Sequence, residues 1–169
     1  MEIRTVLQDC RSNSVGFLLT GLDLWSMAGI PVLLNNAGSW TDINSSTMKK
    51  LNNLQLTFIR YLLKMPRSTP SPLLNWDVHL LTMENQILAK KLNLAHHIST
   101  LDEGSLANEI FVTQKKYNFP GLVKEVSEVL RDLNLPDITD RDIASEWSKV
   151  QWKREVSKKI HDKCEAELK

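Results

Sequence analysis

The chain is short of several things, and each shortage removes a class of function. It has two cysteines in 169 residues, Cys10 and Cys164, at opposite ends. Neither has a second cysteine or a histidine at metal-finger spacing, which excludes zinc ribbons and knuckles and leaves no disulfide scaffold. Such cysteine usage fits a reducing, intracellular setting, nuclear or cytoplasmic. No glycine-rich loop is present to cradle a phosphate. No Ser/His/Asp or Cys/His set has the context that nucleophilic catalysis needs. The histidines form no metal site: His96 and His97 are adjacent and point about 100° apart on a helix, while His79 and His161 lie elsewhere. Neither a metal, a cofactor nor a catalytic residue is therefore expected. Glu2, Asp9 and Arg11 interrupt the first residues, so no secretory signal is expected.

Charge of either sign is also in short excess. There are 21 basic and 20 acidic side chains, for a net charge of +1. A dedicated nucleic-acid binder usually carries a clearer positive surplus. One stretch, Val15 to Leu34, is nearly free of charge, with Asp23 as the exception. A central Asp costs about 2.5–3.5 kcal/mol on the membrane-insertion scale, and Gly16, Gly21, Gly29 and Pro31 weaken the segment further. It reads as a buried core helix, with no membrane as partner.

What is present is helical periodicity. Leu18, Leu19, Leu22 and Trp25 recur at helical spacing, Pro31 is expected to kink or restart that helix, and Asn35-Asn36-Ala37-Gly38 reads as its end. Met48, Leu51, Leu54, Phe58, Leu62 and Met65 form one apolar stripe, with Ser45 or Ser46 as cap and Pro66 as stop. Three prolines make 66–72 a stiff connector. Leu73 to Leu81 is a short apolar element, and Thr82 caps a helix carrying Ile87, Leu88, Leu92, Leu94, Ala95, Ile98 and Leu101. Asp102-Glu103-Gly104-Ser105 breaks it. Helices follow from Leu106 to about Tyr117 and from Leu122 to Leu133. Thr139, with Asp140 and Asp142 in the first turn, begins a long polar helix towards Lys169. The stripe of that last helix shifts from Ile143, Trp147 and Val150 to Trp152, Val156, Ile160 and Cys164, which implies a bend or two partners. Trp147 and Trp152 read as core or interface residues, with base stacking as the alternative. No alternating run long enough for a sheet and no internal repeat occurs, so the expected class is all-α: an irregular bundle of about six to seven helices with a Pro-rich connector.

Charge is distributed in blocks. Ile43 to Trp76 holds five basic residues and no acidic one; Asp102 to Glu146 has a net charge of −5, and the stretch from Trp147 onward +3. In the first block Lys49, Asn53, Thr57, Arg60 and Lys64 are spaced four, four, three and four, along one face opposite the apolar stripe. Lys50 lies beside the row, and Arg67 extends it past the helix end. Long cations and small donors in line, with no competing carboxylate, are what phosphate-backbone contact requires. A solvated helix face that serves no partner has the same pattern.

The segment Ile30-Pro31-Val32-Leu33-Leu34-Asn35-Asn36-Ala37-Gly38-Ser39-Trp40 resembles a passage of non-LTR (LINE-like) retrotransposon reverse transcriptases, where an apolar helix after the palm ends in a small-residue and Trp signature. The similarity continues through Leu51-Asn52-Asn53-Leu54-Gln55, Phe58-Ile59-Arg60-Tyr61-Leu62-Leu63, Pro66-Arg67-Ser68-Thr69-Pro70, Leu80 to Met83 and Lys91-Leu92-Asn93-Leu94-Ala95-His96-His97-Ile98. It is densest from Val15 to Leu101, and each piece is short. The resemblance implies a thumb-like helical segment over 1–65, the connector at 66–72 and a post-thumb helical region over 73–169. It also departs from the family. The palm motif, an aromatic residue followed one position later by two aspartates, is absent, and no two aspartates are adjacent anywhere. Fingers, endonuclease, RNase H and zinc knuckle are missing too.

The resemblance therefore implies a polymerase-derived chain that cannot polymerise. Non-specific nucleic-acid backbone contact through Lys49, Lys50, Asn53, Thr57, Arg60, Lys64 and Arg67 is what it implies for the basic face. Self-association is expected through a surface that the palm would otherwise cover, with Leu22, Trp25 or Leu33 exposed. A helical protein–protein interaction module, docking through the acidic middle and the Trp-bearing last helix, is the alternative, as is a remnant without selected function.

Overall fold

The computed structural model describes residues 14–70, 74 and 80–167. Every regular element among them is helical, so the fold is all-α, as periodicity predicts. Two compact units share the chain: one holds Met1–Asn35 with Asn44–Met83, the other Asn36–Ile43 with Glu84–Lys169. The described part of the connector, 66–70, therefore falls within the first unit.

In the first unit, helix α1 (Ser14–Leu24) runs through a π-helical turn, Trp25–Gly29, into the short α2 (Ile30–Leu33). Pro31 does not end the helix. Its ring crowds the preceding turn and it offers no N–H. The wider turn absorbs both defects, with the Ile30 N–H reaching back five residues to the Trp25 carbonyl. Phe17, Gly21 and Trp25, four residues apart, make the buried face. Gly21 presses against Leu62 so closely that a methyl group there would overlap it. Phe17 and Leu62 form a core with Leu18, Leu22, Leu24 and Phe58 around them, and Trp25 stacks on Phe58 with centroids 4.5 Å apart. The opposite face leaves Leu19, Met27 and Val32 exposed. The expected buried core helix is thus buried on one face only, and Gly16–Leu33 is long and apolar enough to cross a membrane by length and composition.

Helix α3 (Ser45–Leu63) is capped by Asn44, not by Ser45 or Ser46. Asn44 Oδ1 accepts the Ser46 N–H at 2.8 Å, satisfying one of the donors that a helix start leaves over. The helix ends one turn before Pro66: Lys64 takes a left-handed φ of 54°, and the Met65 N–H bonds back to the Arg60 carbonyl at 3.0 Å.

The expected apolar stripe on α3 is turned by about a quarter turn. The buried residues are Gln55, Leu56, Ile59 and Leu62, whereas Leu54 and Met65 are exposed. Leu56 and Ile59 pack with Leu74, flanked by Leu63 and Leu80. The polar residues on this face have specific partners. Gln55 Nε2 donates to the Leu81 carbonyl at 2.9 Å, and Asn52 Oδ1 accepts the Met83 N–H at 3.1 Å. Most of the short apolar element at 73–81, with Trp76 and His79, lies outside the described residues, as does Cys10.

Helix α4 (Met83–Ser99) has its first N–H met by Asn52 Oδ1, a partner 31 residues away in sequence. In the second unit, α5 (Leu106–Tyr117) and α6 (Leu122–Asp132) pack directly on each other. Asn118, left-handed at φ 49°, closes α5. The α6 stripe of Val123, Val126 and Leu130 is buried, and Val129 is half-buried. The single long helix expected from Thr139 is two helices. Asp140 caps α7 (Arg141–Ser145) through the Asp142 N–H at 3.1 Å. A turn then resets the chain for α8 (Lys149–Glu167).

Ser148 and Gln151 cap α8 reciprocally: Ser148 N–H donates to Gln151 Oε1 at 3.1 Å, and Gln151 N–H to Ser148 Oγ at 3.3 Å. That break is the source of the shifted stripe, because Val150 faces solvent while Trp152, Val156 and Ile160 are buried.

The first turns of α8 lock onto α4 through aromatic side chains. Trp152 Nε1 donates to the Leu92 carbonyl at 3.2 Å, and its ring stacks on His96 at 5.4 Å. Trp147 meets Trp152 edge-on, and His96 Nε2 lies 3.0 Å from the Trp147 carbonyl. Segment 36–43 of the same unit lies against α4, with Gly38 at the closest approach. A Cβ on Gly38 would sit 3.0 Å from the Lys90 carbonyl oxygen and 3.1 Å from Leu94 Cβ. Glu125 of α6 ties this corner together, pairing with Lys91 and accepting the Asp42 N–H at 3.3 Å.

Candidate nucleic-acid interface

The candidate contact residues on and just beyond α3 divide into three groups by what holds them. Lys49, Lys50, Asn53 and Thr57 occupy the exposed side of the first three turns. Asn53 offers its side chain to solvent, and its carbonyl accepts the Thr57 Oγ1 proton at 2.7 Å. Thr57 therefore spends its one proton inside the helix and has only lone pairs left for solvent. Lys49 and Lys50 make no ion pair among the described residues.

Arg60 belongs to a different arrangement. The rotation of the buried face brings it to the border of the core, where it is half-buried. Its Nη2 donates to the Thr69 carbonyl at 3.0 Å, so the guanidinium pins the described part of the connector against α3. Its Nε is buried with no hydrogen-bond partner. Arg60 is therefore not one cation among equals in an outward row.

Lys64 and Arg67 are exposed, but they lie beyond the last turn of α3, and Lys64 has left helical geometry altogether. The straight row read from spacing thus becomes a short outward ridge, Lys49, Lys50, Asn53 and Thr57, with two further cations past the helix end. No acidic residue occurs between Ile43 and Trp76 to neutralise it.

Other candidates resolve into structural roles. His96 is buried within the Trp147–Trp152 cluster and His97 is exposed, so the pair does not converge. Among the described residues no three His, Cys, Asp or Glu side chains gather where a metal could be held. Trp152, weighed as a stacking platform, is core. The Asp140 and Asp142 pair is the first-turn arrangement that the dipole favours. The surface expected to be left bare is composed differently: Trp25 is buried, Leu22 and Leu33 are half-buried, and Leu19, Met27 and Val32 are the exposed apolar residues of that segment. Sequence reading missed the roles of Asn52 and Gln55, because both are polar residues on a core-facing position. The Ser148-x-x-Gln151 capping pattern was there to be read.

Fold and surface together define an all-α protein with an unpaired basic ridge on one amphipathic helix. Comparisons with protein-family models, with curated proteins and with solved structures found no match to this chain.

Proposed function

We propose that the chain is a truncated derivative of a LINE-like reverse transcriptase, corresponding to the thumb and post-thumb helices, and that it contacts a nucleic-acid backbone without sequence preference and without polymerase activity. The observation that carries this reading is the outward ridge on α3. Lys49 and Lys50 are exposed and unpaired among the described residues, beside Asn53, in a stretch with no carboxylate. Such a ridge can neutralise phosphates and position a duplex, and phosphate contacts carry no sequence information. The family assignment rests on the sequence resemblance, and the expected lack of polymerase activity on the missing palm motif.

The test is duplex affinity against salt. Each neutralised phosphate contributes a slope of about −0.9 in log affinity against log salt for B-form DNA. Replacing Lys49 and Lys50 together by Gln is expected to flatten the slope by about 1.8 and to weaken binding uniformly across sequences. Lys158→Gln with Lys163→Gln on α8 removes the same charge from another exposed surface. Equal losses from both pairs reduce the effect to diffuse net charge. Unchanged binding by the α3 pair defeats the proposal.

A second reading, a helical protein-interaction module, is favoured by one specific feature. Leu106, Ile110, Val112, Tyr117 and Phe119 are exposed on and just after α5, inside the acidic block. An apolar surface of that kind marks a partner site more often than a nucleic-acid groove.

A further inference from the structure

Five polar residues are buried among the described part of the chain, and three of them line one cleft. Ser99 at the end of α4, Asn108 on α5 and Thr139 ahead of α7 are 2%, 6% and 6% exposed. They border a cleft of about 560 Å³ within the second unit, inside the size range of small-ligand sites. Buried polar groups are the informative residues of an interior, since each must find a hydrogen-bond partner.

Three of their four polar side-chain hydrogens are already spent. Ser99 Oγ donates to the Ala95 carbonyl at 2.9 Å. Asn108 Nδ2 donates to the Ile98 carbonyl at 3.0 Å, which also decides the orientation of its amide, because a carbonyl only accepts. Thr139 Oγ1 donates to Asp137 Oδ1. What these side chains have left is mainly oxygen lone pairs, on two hydroxyl oxygens and an amide carbonyl, beside one remaining Asn108 N–H. At the rim, Arg141 is engaged by Glu103 at 2.8 Å, while Glu109 makes no ion pair among the described residues. The buried side chains therefore leave acceptors in excess of donors, the rim adds one uncompensated carboxylate, and Phe111 and Val112 supply an apolar wall.

We propose that this cleft binds an organic cation rich in N–H donors, an alkylammonium or guanidinium group carried by a small molecule or by a basic peptide side chain. Those groups have three and five donors and no acceptor, the complement of the lining. An aliphatic stem would lie on Phe111 while the charged head faces the oxygens. The net charge of −5 from Asp102 to Glu146 draws cations toward it. The proposal is independent of the nucleic-acid reading, which concerns the other unit and the opposite ligand charge.

The test is a nitrogen-15 NMR titration of the full chain with N-acetyl-arginine amide, with spermidine and with a hexapeptide holding one arginine. N-acetyl-citrulline amide serves as the neutral control of the same shape. Saturable shifts at the Asn108 side-chain amide and the Ser99 and Thr139 amides are expected from the cations and not from citrulline. Glu109→Gln, at an exposed position that leaves the fold alone, is expected to weaken binding about three- to fivefold, the range of an exposed charge pair. Tighter binding of the peptide identifies a protein partner as the source, and tighter binding of arginine amide or spermidine a small amine; either supports the cleft. Equal binding of citrulline amide, shifts that cluster elsewhere, no saturable shift, or a Glu109→Gln affinity equal to that of the parent overturns it.

Discussion

Gly38→Ala tests the packing of segment 36–43 on α4, and the geometry sets its size. Gly38 does not have a positive φ, so alanine fits the backbone, and sterics alone decide the outcome. The added Cβ would lie 3.0 Å from the Lys90 carbonyl oxygen, with Leu94 Cβ and Cδ2 at 3.1 and 3.2 Å. Two of those atoms are anchored in the helix and cannot swing aside. Overpacking of this kind costs about 1–3 kcal/mol. The stiffer unfolded chain returns about 0.4–1 kcal/mol, which leaves a net loss of about 1–2 kcal/mol. For a chain of this size each kcal/mol lowers Tm by about 2–4 °C, so a drop of about 3–6 °C is expected. Thermal melts followed by circular dichroism at 222 nm read it directly. Gly104→Ala is the matched control: nothing lies within 4 Å of its Cβ, so the unfolded-state gain acts alone and Tm should hold or rise slightly. A Gly38→Ala protein that melts with the parent, or a Gly104→Ala protein that loses as much, would refute the close-approach argument.

Two further outcomes are expected. Trp152→Phe removes the hydrogen bond to the Leu92 carbonyl and shrinks the ring packed between His96 and Trp147; it should cost about 1.5–3 kcal/mol, whereas Val150→Ser at an exposed position should stay within about 0.5 kcal/mol in the same denaturant titration. The purified chain, given primed template, magnesium and nucleotides, should extend no primer, because it lacks the palm motif's two adjacent aspartates that would hold the metals; incorporation that copurifies with it through two columns would overturn the proposal that it is not a polymerase.

Most of the helices were legible in the sequence by itself, although the break between α7 and α8 was missed. Periodicity located α5 and α6, and the breakers Asp102-Glu103-Gly104-Ser105 marked the boundary between α4 and α5, because local spacing and turn chemistry act within a few residues. The absence of strands among the described residues followed from the same local rule. What it left open is which face of each helix is buried. On α3 leucine and isoleucine spread over adjacent faces, and Asn52 and Gln55 join the core side only because Met83 and Leu81 arrive there with an N–H and a carbonyl to satisfy.

That choice also decided the candidate interface. Rotating the buried face moved Arg60 from an outward row to the edge of the core, where the Thr69 carbonyl holds it. Lys49 and Lys50 stayed outside. The acceptor-lined cleft had no local signature at all, because Ser99, Asn108 and Thr139 belong to different segments and converge only in tertiary structure. Spacing along a helix is a local property. Which side of it is solvated, and which hydrogens remain for a ligand, depends on partners up to tens of residues away, and only packing brings those partners into reach.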